Sequence, residues 1–468
     1  MWVTQNAPFI LKQKNEEPMK FIKSISVLII ISVILTACGG GDTPAEPAAN
    51  EEPEVTRIVE DSAPPAPPTP LPPPVVNEEA ADAPAPPPTA PPPAAEEAPA
   101  ELEAVRPWPA SDFGYGIQIH GNATVGDASS TMRSVHDQLG LDWVKMQVQW
   151  WLVHPSAEDE QWFFYDSVIE EATNNNLNLM VSIVGAPAWT RAAGGENGPP
   201  DDYNLYAQFL VEMLQRHPGK VDAIEVWNEQ NLDREWTTTN GISPEDYVSF
   251  LKVAYEAIKA EDPDVIVISG ALSPTGDGDW VRWAHDFDYM DRALAAGMLN
   301  YADCVGAHHN GYNLPSDVRV EDSQSHPKAA TAVFRGPFDN QFTGSRVNHL
   351  WTFKSTIDGY VERIQAVDPN KKLCVTEFGW ATSEGYDQVP TGFEFALDNT
   401  LQEQSDYIVQ AYQNMHDSGN VWLAFLFNYD FGNKGSGVTD DPVPYSIVDT
   451  NGVPRPAFGA IADMEKPR

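Results

Sequence analysis

Short apolar runs alternate with longer amphipathic stretches from Trp108 to the end of the chain. Eight of these runs have the length and the β-branched and aromatic content of buried strands. The pattern therefore predicts strands at Tyr115–His120, Trp143–Trp150, Asn178–Val184, Ala223–Trp227, Asp264–Gly270, Cys304–His309, Lys372–Glu377 and Val421–Asn428.

The stretches between the runs predict helices, among them Asp202–Arg216, Asn348–Val367 and Leu401–Met415. Another helix should begin at Ser243, because Ser is a good N-cap and Pro244 suits the first turn. Strands that alternate with helices in this way predict a (β/α)₈ TIM barrel over residues 108–468. An open, doubly wound sheet is the alternative, and it is disfavoured because no glycine-rich phosphate turn follows the first strand.

The N-terminus has the pattern of a targeting signal. In residues 20–38 two lysines precede a short apolar run that ends in small residues. The ending Leu35-Thr36-Ala37-Cys38 resembles the bacterial lipobox, which implies that Cys38 becomes the lipidated first residue of the mature protein. We therefore predict a lipoprotein signal peptide at 1–38, with Met19 as a candidate translation start, and a protein anchored by lipid to a bacterial membrane in the cell envelope. The alternative is an ordinary secretory signal in which the cysteine is accidental.

Residues 39–107 differ sharply from the rest of the chain. They contain 20 of the 41 prolines, and they have 14 acidic residues but only two arginines. Such a segment cannot bury enough apolar surface to offset the entropy lost on ordering. We predict a disordered, Pro-rich acidic linker that holds the barrel away from the membrane.

The net charge and the aromatic content of the chain limit the kinds of molecule that it is expected to bind. The formal net charge of −40 would repel a polymer of phosphates, so nucleic acid is not expected as a partner. Fourteen tryptophans and fifteen tyrosines offer flat faces for stacking on sugars, although many aromatic side chains in any protein belong to the core.

Polar and aromatic residues follow the predicted strands at the end where a barrel carries its active site. Amides, imidazoles, two carboxylates and tryptophans meet on one rim, which is typical of a carbohydrate site, and no cofactor is predicted. A metal is not predicted either, because adjacent histidines lack the spacing of a ligand cluster. The candidates for substrate binding are Asn228, His309, Tyr312, Trp150, Trp189, Trp380 and Tyr429.

Two motifs resemble those of clan A glycoside hydrolases. Ile224-Glu225-Val226-Trp227-Asn228-Glu229-Gln230-Asn231-Leu232 is similar to the strand-four motif of the clan, and most similar to family 39, where the pattern is Glu-Val-Trp-Asn-Glu-Pro-Asn-Leu. Val375-Thr376-Glu377-Phe378-Gly379-Trp380 is similar to the strand-seven motif. The resemblance extends over roughly residues 110–465, and Gln230 departs from it where the family has proline.

The resemblance implies roles for these residues. Glu229 would be the general acid/base, Glu377 the nucleophile, and Asn228 the partner of the sugar 2-hydroxyl. The clan retains anomeric configuration, which implies carboxyl groups about 5–5.5 Å apart. The acid should have a raised pKa, because burial and a neighbouring carboxylate favour its protonated form. His309 and Tyr312 would orient the carboxylates, with His308 as the competing histidine.

Other candidates have ordinary structural interpretations. Each tryptophan of the rim either stacks on sugar or belongs to the core. Glu225 shares the strand of Glu229 but lies deeper, which favours a paired structural acid. Cys304 and Cys374 begin neighbouring strands, and we expect buried thiols, with a disulfide as the alternative outside the cytoplasm.

The sequence as a whole predicts a retaining glycosidase that acts on a poly- or oligosaccharide. There are two alternatives, a surface carbohydrate-binding lipoprotein with little turnover and a transglycosylase. Neither a slow reaction rate nor the choice of acceptor can be recognised from a sequence motif.

Overall fold

A computed structural model describes residues 104–124, 126–195, 197–328 and 348–468. The predictions for the signal peptide, for lipidation at Cys38 and for the linker up to residue 103 lie outside the described residues. In the described ranges we find no helix with both the length and the apolar character needed to cross a membrane.

Eight parallel strands close into a barrel in the order in which they occur along the chain. The (β/α)₈ prediction is therefore confirmed, and the strand ends shift by no more than three residues. The strands are β1 Gly114–Gln118, β2 Trp143–Gln149, β3 Asn178–Val184, β4 Ala223–Val226, β5 Ile266–Leu272, β6 Cys304–Gly311, β7 Leu373–Trp380 and β8 Val421–Leu426.

Helices lie between the strands and after the last one. The side chain of Ser243 accepts a hydrogen bond from the backbone N–H of Asp246, so it caps its helix as predicted. The helices are α1 Ala128–Arg133, α2 Trp150–Val153, α3 Asp166–Asn174, α4 Tyr203–Arg216, α5 Pro244–Glu261, α6 Asp286–Ala295, α7 Val320–Ser323, α8 Phe353–Val367, α9 Leu401–Ser418, α10 Phe431–Lys434 and α11 Pro456–Asp463.

The lower part of the barrel lumen is filled by a cluster of buried side chains that includes Trp143, Phe425, Cys304 and Cys374. Burial of these apolar groups is a main source of stability for the barrel. The two cysteines form a disulfide between β6 and β7, which corrects the expectation of free thiols. Adjacent strands bring their Cα atoms to 5.8 Å, a separation that a disulfide spans easily.

One irregularity of β7 places two side chains in the lumen. Ala307 of β6 pairs with Val375, whereas the next residue, His308, pairs with Glu377. Thr376 is therefore an extra residue in β7, and the regular alternation of the strand is broken. As a result both Thr376 and Glu377 contact lumen residues, Glu225 and Lys145 respectively.

The chain turns sharply after β4. Trp227 and Glu229 have left-handed backbone angles, with φ of 76° and 44°. This conformation costs roughly 1–2 kcal/mol for a residue with a side chain, and such strain is often found at functional sites. The turn sends Trp227 into the helix layer, where it packs on Trp236 and Phe250, and Glu229 then lies at the rim.

Candidate active site

Glu229 and Glu377 both lie close to one histidine, His308, at the C-terminal rim of the barrel. His308 Nδ1 lies 3.3 Å from Glu229 Oε1 and 4.0 Å from Glu377 Oε2. The sum of these distances limits the separation of the two carboxylate oxygens to about 7.3 Å. Both side chains are mostly buried, with 9 % and 6 % of the residue exposed. Two carboxyl groups this close can flank a single bond.

Glu377 is held by groups from two other strands. Lys145 of β2 donates to Glu377 Oε1 at 3.1 Å, and Asn310 of β6 donates to Oε2 at 3.3 Å. Lys145 also donates to the backbone oxygen of Thr376 at 3.0 Å. A cation and an amide on the two oxygens fix the orientation of the carboxylate.

Glu225 lies below this pair and is fully buried. It accepts hydrogen bonds from Thr376 Oγ1 at 2.6 Å and from the backbone N–H of Ala271 at 3.2 Å. Burial raises its pKa, but the charge of Lys145, 3.4 Å away, and other neighbours outweigh this effect and lower the pKa. These contacts agree with a paired structural acid.

Glu229 is in a different electrostatic environment from the one expected. Burial favours a higher pKa, but hydrogen bonds and charges from His308 and Arg234 are stronger and lower the pKa to about 2. Arg234 Nη2 donates to Glu229 Oε2 at 2.9 Å. The expectation of a raised pKa is therefore wrong for the free protein, because His308 and a guanidinium that the motif does not reveal both lie beside the carboxylate.

The two adjacent histidines have opposite roles from those expected. His308 faces the lumen, and although burial lowers its pKa, the charges of Glu377, Glu229 and Glu225 raise it overall. His309 faces the helix layer, where its Nε2 lies 3.0 Å from the backbone oxygen of Leu350. The prediction for His309 is corrected to His308, because alternate residues of a strand point to opposite faces.

Amides surround the turn that carries Glu229. Gln147 Nε2 donates to Asn228 Oδ1 at 3.3 Å, which leaves the Asn228 amide nitrogen for another acceptor. Gln230, which replaces the proline of the resembled motif, donates to the backbone oxygen of Gly270 at 2.8 Å. Gln230 therefore ties this turn to β5 through a hydrogen bond that proline cannot make.

Glu235 is a third acidic residue of the rim that the sequence did not indicate. Burial raises its pKa to about 8, the charges of Glu229 and Glu377 add to the increase, and Arg234 opposes it. Glu235 Oε1 lies 3.6 Å from Arg234 Nε. One guanidinium therefore lies between two carboxyl groups, Glu229 and Glu235, that have very different affinities for a proton.

The rim tryptophans separate into core and surface. Trp150 is 1 % exposed and stacks on Phe209, and Trp380 is 0 % exposed and donates to the backbone oxygen of Leu314. Neither has a free face for a sugar, so the predictions for both are corrected. Trp189 is 41 % exposed and is held by a 3.0 Å hydrogen bond to the backbone oxygen of His154. Trp189 therefore remains a candidate for stacking.

The two predicted tyrosines also separate. Tyr312 packs against Phe395, and its pKa is raised by burial and by the charge of Glu229, so it lies on the same side of the molecule as the carboxylates. Tyr429 packs on Phe458 and hydrogen-bonds Ser134, outside the lumen. The prediction for Tyr429 is corrected, because the chain has left the barrel wall at this point.

A separate cluster on the helix side contains His285, Asp286 and His349, at distances that a metal ion could use. Its carboxylate already has close partners. His349 Nε2 lies 3.0 and 2.9 Å from the two oxygens of Asp286, and Tyr360 donates to one of them at 2.7 Å. These direct contacts account for the arrangement as a buried hydrogen-bonded network.

Comparisons with known proteins give likeness in structure alone. No family model and no curated protein matches the sequence. A monomeric beta-xylosidase from Caulobacter crescentus CB15 matches with a TM-score of 0.50 and 16 % identity, over 77 % of this chain and 69 % of that one. A GH5_18 protein from Streptomyces cattleya in complex with GlcNAc matches with a TM-score of 0.51 and 15 % identity, over 77 % and 83 % of the two chains.

A second structure of the GH5_18 protein, in complex with Manβ1-4GlcNAc, matches with a TM-score of 0.50 and 14 % identity, over 76 % of this chain and 83 % of that one. At such low identity a likeness carries information on architecture and not on activity. The comparisons therefore show that this chain has the (β/α)₈ fold that these three structures share.

Proposed function

We propose that the protein is a retaining glycoside hydrolase of the clan A type, with Glu229 as acid/base and Glu377 as nucleophile. The observation that carries the proposal is the pair of carboxylates on one lumen histidine, His308. Two carboxyl groups with different surroundings at the rim of a barrel are what glycoside cleavage requires. Within the clan we propose family 39, because the motif around Glu229 is most similar to the motif of that family.

The resemblance of the two glutamate motifs to those of a retaining clan supports double displacement in two steps. In the first, the Glu377 carboxylate attacks the anomeric carbon, the glycosidic C–O bond breaks, and a proton from Glu229 joins the leaving oxygen. In the second, Glu229 takes a proton from water, the water oxygen attacks the anomeric carbon, and the ester bond to Glu377 breaks. Lys145 and Asn310 hold Glu377 oriented throughout.

We propose a β-linked glycan as the first substrate class to examine. The names of the structural neighbours, a beta-xylosidase and a protein bound to Manβ1-4GlcNAc, suggest where a panel should begin. Asn228 is the proposed partner of the sugar 2-hydroxyl, and its amide is held in place by Gln147. Trp189 is the proposed stacking face away from the bond that is cleaved.

We further propose that the enzyme works outside the cytoplasm, attached to a bacterial membrane through Cys38. The lipobox-like sequence before Cys38 supports this location. The disulfide between Cys304 and Cys374 supports it as well, because disulfides persist mainly in oxidising compartments. Metabolic labelling with a palmitate analogue tests it, and a Cys38→Ser variant that incorporates as much label as the wild type would contradict it.

The test of the function uses the purified full chain on a panel of β-linked glycans. Glu377→Gly and Glu229→Ala should each lose at least about 10³-fold in kcat/KM, whereas Glu465→Gln, an exposed acid far along the chain, should not. Azide should restore Glu377→Gly with an inverted glycosyl azide and Glu229→Ala with a retained one. Full activity in either variant would reject the assignment.

Product analysis separates the alternatives. Hydrolysis yields free reducing sugar, transglycosylation yields longer oligosaccharides when acceptor is abundant, and a binding lipoprotein yields neither. We expect free sugar as the main product in dilute substrate.

A further inference from the structure

Among the described cations that contact the carboxyl groups of the site, Arg234 has the most exposed side chain. Its side chain is 56 % exposed, whereas the side chains of Lys145 and His308 are 0 % and 1 % exposed. A buried cation cannot leave its partners without a large desolvation penalty, but a half-exposed guanidinium can exchange partners at little cost. Arg234 has two partners within reach, Glu229 at 2.9 Å and Glu235 at 3.6 Å.

Building on the proposed function, we propose that Arg234 is a positioning residue that, together with His308, keeps Glu229 ionised in the free enzyme. Its transfer to Glu235 on glycan binding then lets Glu229 take up the acid proton. The proposal assigns Glu235 as the proton reservoir of the site.

In the free enzyme, the surroundings of the two carboxyl groups favour a proton on Glu235 over one on Glu229, which is the opposite of what the first step requires. A general acid must be protonated before it can donate. Arg234 and His308 lower the pKa of Glu229 to about 2 despite burial, whereas burial and neighbouring carboxylates raise the pKa of Glu235 to about 8. Near neutral pH Glu235 therefore carries the proton and Glu229 does not.

A bound glycan competes directly with Arg234. The glycosidic oxygen must come within hydrogen-bond distance of a Glu229 oxygen, and Arg234 Nη2 already occupies Oε2. Displacement of the guanidinium leaves Glu235 as its nearest carboxyl partner. Glu235 then ionises because the guanidinium, 3.6 Å away in the free protein, comes closer to it. Glu229 takes up the proton because it has lost one of its two positive neighbours and keeps His308 alone.

The exchange is balanced. One O–H bond breaks on Glu235 and one forms on Glu229, with no net uptake or release of protons. Both side chains reach solvent, with 29 % and 12 % exposure, so water can carry the proton. In this proposal the other charged and titratable groups around the two carboxyl groups do not move during the exchange. These groups are Lys145, Glu225, His308, Glu377, Asp441, Tyr312 and Tyr445.

The pH dependence of kcat/KM tests the proposal. In the wild type the alkaline limb should lie near pH 8, where the shared proton is lost. Glu235→Gln removes the reservoir but leaves Arg234 on Glu229. We expect kcat/KM at neutral pH to fall about 100-fold on a natural glycan, and the alkaline limb to move by at least about two pH units towards acid.

Two comparisons separate this effect from a loss of structure. An activated aryl glycoside needs no acid for its leaving group, so Glu235→Gln should cleave it within about threefold of the wild-type rate. The double variant Arg234→Gln/Glu235→Gln frees Glu229 from the guanidinium and should recover activity on the glycan relative to Glu235→Gln. Asp233→Asn, an exposed acid in the same turn, is the matched control and should leave the profile unchanged.

An unchanged alkaline limb in Glu235→Gln, or a double variant no better than the single one, would overturn the proposal while leaving the assignment of Glu229 and Glu377 intact. Full activity of Glu229→Ala on the same glycan would instead reject the proposed function itself.

Discussion

Lys145 Nζ lies 3.1 Å from Glu377 Oε1, the lysine side chain is fully buried, and only 8 % of the Glu377 side chain is exposed. The same ammonium group lies 3.4 Å from Glu225, so one buried cation serves two acids. Loss of one partner from a buried ion pair leaves a charge without compensation, and this usually costs more than the pair itself contributes.

Replacement of Lys145 should therefore affect both stability and catalysis. Lys145→Met should lower the free energy of unfolding by about 3–5 kcal/mol, because Glu225 loses its cation. Activity should fall as well, because Glu377 loses a hydrogen bond that orients it. Urea denaturation and kcat/KM on the same preparation measure the two effects.

Glu225→Gln provides the control for this variant. The double variant Lys145→Met/Glu225→Gln should regain part of the stability, because the buried negative charge has been removed together with its cation. It should not regain activity. If the double variant were less stable than Lys145→Met, the pairing would not be the source of the stability.

The disulfide between Cys304 and Cys374 should stabilise the barrel without contributing to catalysis. It closes a loop with a sequence separation of 70 residues, and removal of such a crosslink typically costs about 2–4 kcal/mol. The double variant Cys304→Ala/Cys374→Ala should melt at a lower temperature and keep its kcat. Reductant should lower the melting temperature of the wild type and leave that of the double variant unchanged.

Acid sensitivity should depend on Asp286. Burial raises its pKa, but the charge and hydrogen bonds of His349 and the hydroxyl of Tyr360 lower it to about 2, from an ordinary value of 3.8. A carboxyl whose pKa is lowered on folding stabilises the protein above its unfolded pKa, and this contribution is lost as the pH falls towards the folded pKa.

The variant Asp286→Asn should thus be less stable than the wild type at pH 6, and the difference should narrow by about 1 kcal/mol by pH 3. Unfolding by urea at a series of pH values measures it. A gap that stays constant over this range would show that the carboxyl is not held ionised.

Trp189 and Trp150 should respond in opposite ways to truncation. Trp189 is 41 % exposed, so Trp189→Ala should leave stability nearly unchanged and raise KM if the ring stacks on sugar. Trp150 is 1 % exposed, so Trp150→Ala should cost about 3–5 kcal/mol in stability through the cavity that it leaves. Equal KM for Trp189→Ala and the wild type would remove Trp189 from the binding site.

Much of the fold can be predicted from the sequence, because a parallel strand that is buried on both faces has a mainly apolar sequence that is easily recognised. Asn178–Val184 is a mainly apolar strand that is buried along its whole length, and the prediction for it agrees with the structure at both ends. The order of strands and helices then leaves the barrel as the simplest closed arrangement. The predicted helix from Asn348 begins instead at Phe353, because a short 3₁₀ turn precedes it.

The site was only partly predictable, for physical reasons that differ from residue to residue. Side chains alternate between the two faces of β6, so His308 lies on the same face as Cys304. Had the lumen position of Cys304 been known, it would have identified His308 as the lumen histidine. Arg234 and Glu235 carry no such signal, because they follow a strained turn whose path cannot be inferred from residue spacing. The burial of Trp150 and Trp380 depends on the helices that cover them, which local sequence does not specify.

The central claim is that Glu377 forms a covalent bond to the sugar. A 2-deoxy-2-fluoro glycoside of the preferred sugar with a good leaving group should form the ester and slow its hydrolysis, so the intermediate accumulates. Mass spectrometry of the proteolysed protein measures it most directly. We predict one added fluorosugar on the peptide that contains Glu377, and a label on another residue, or inactivation without any label, would contradict the account.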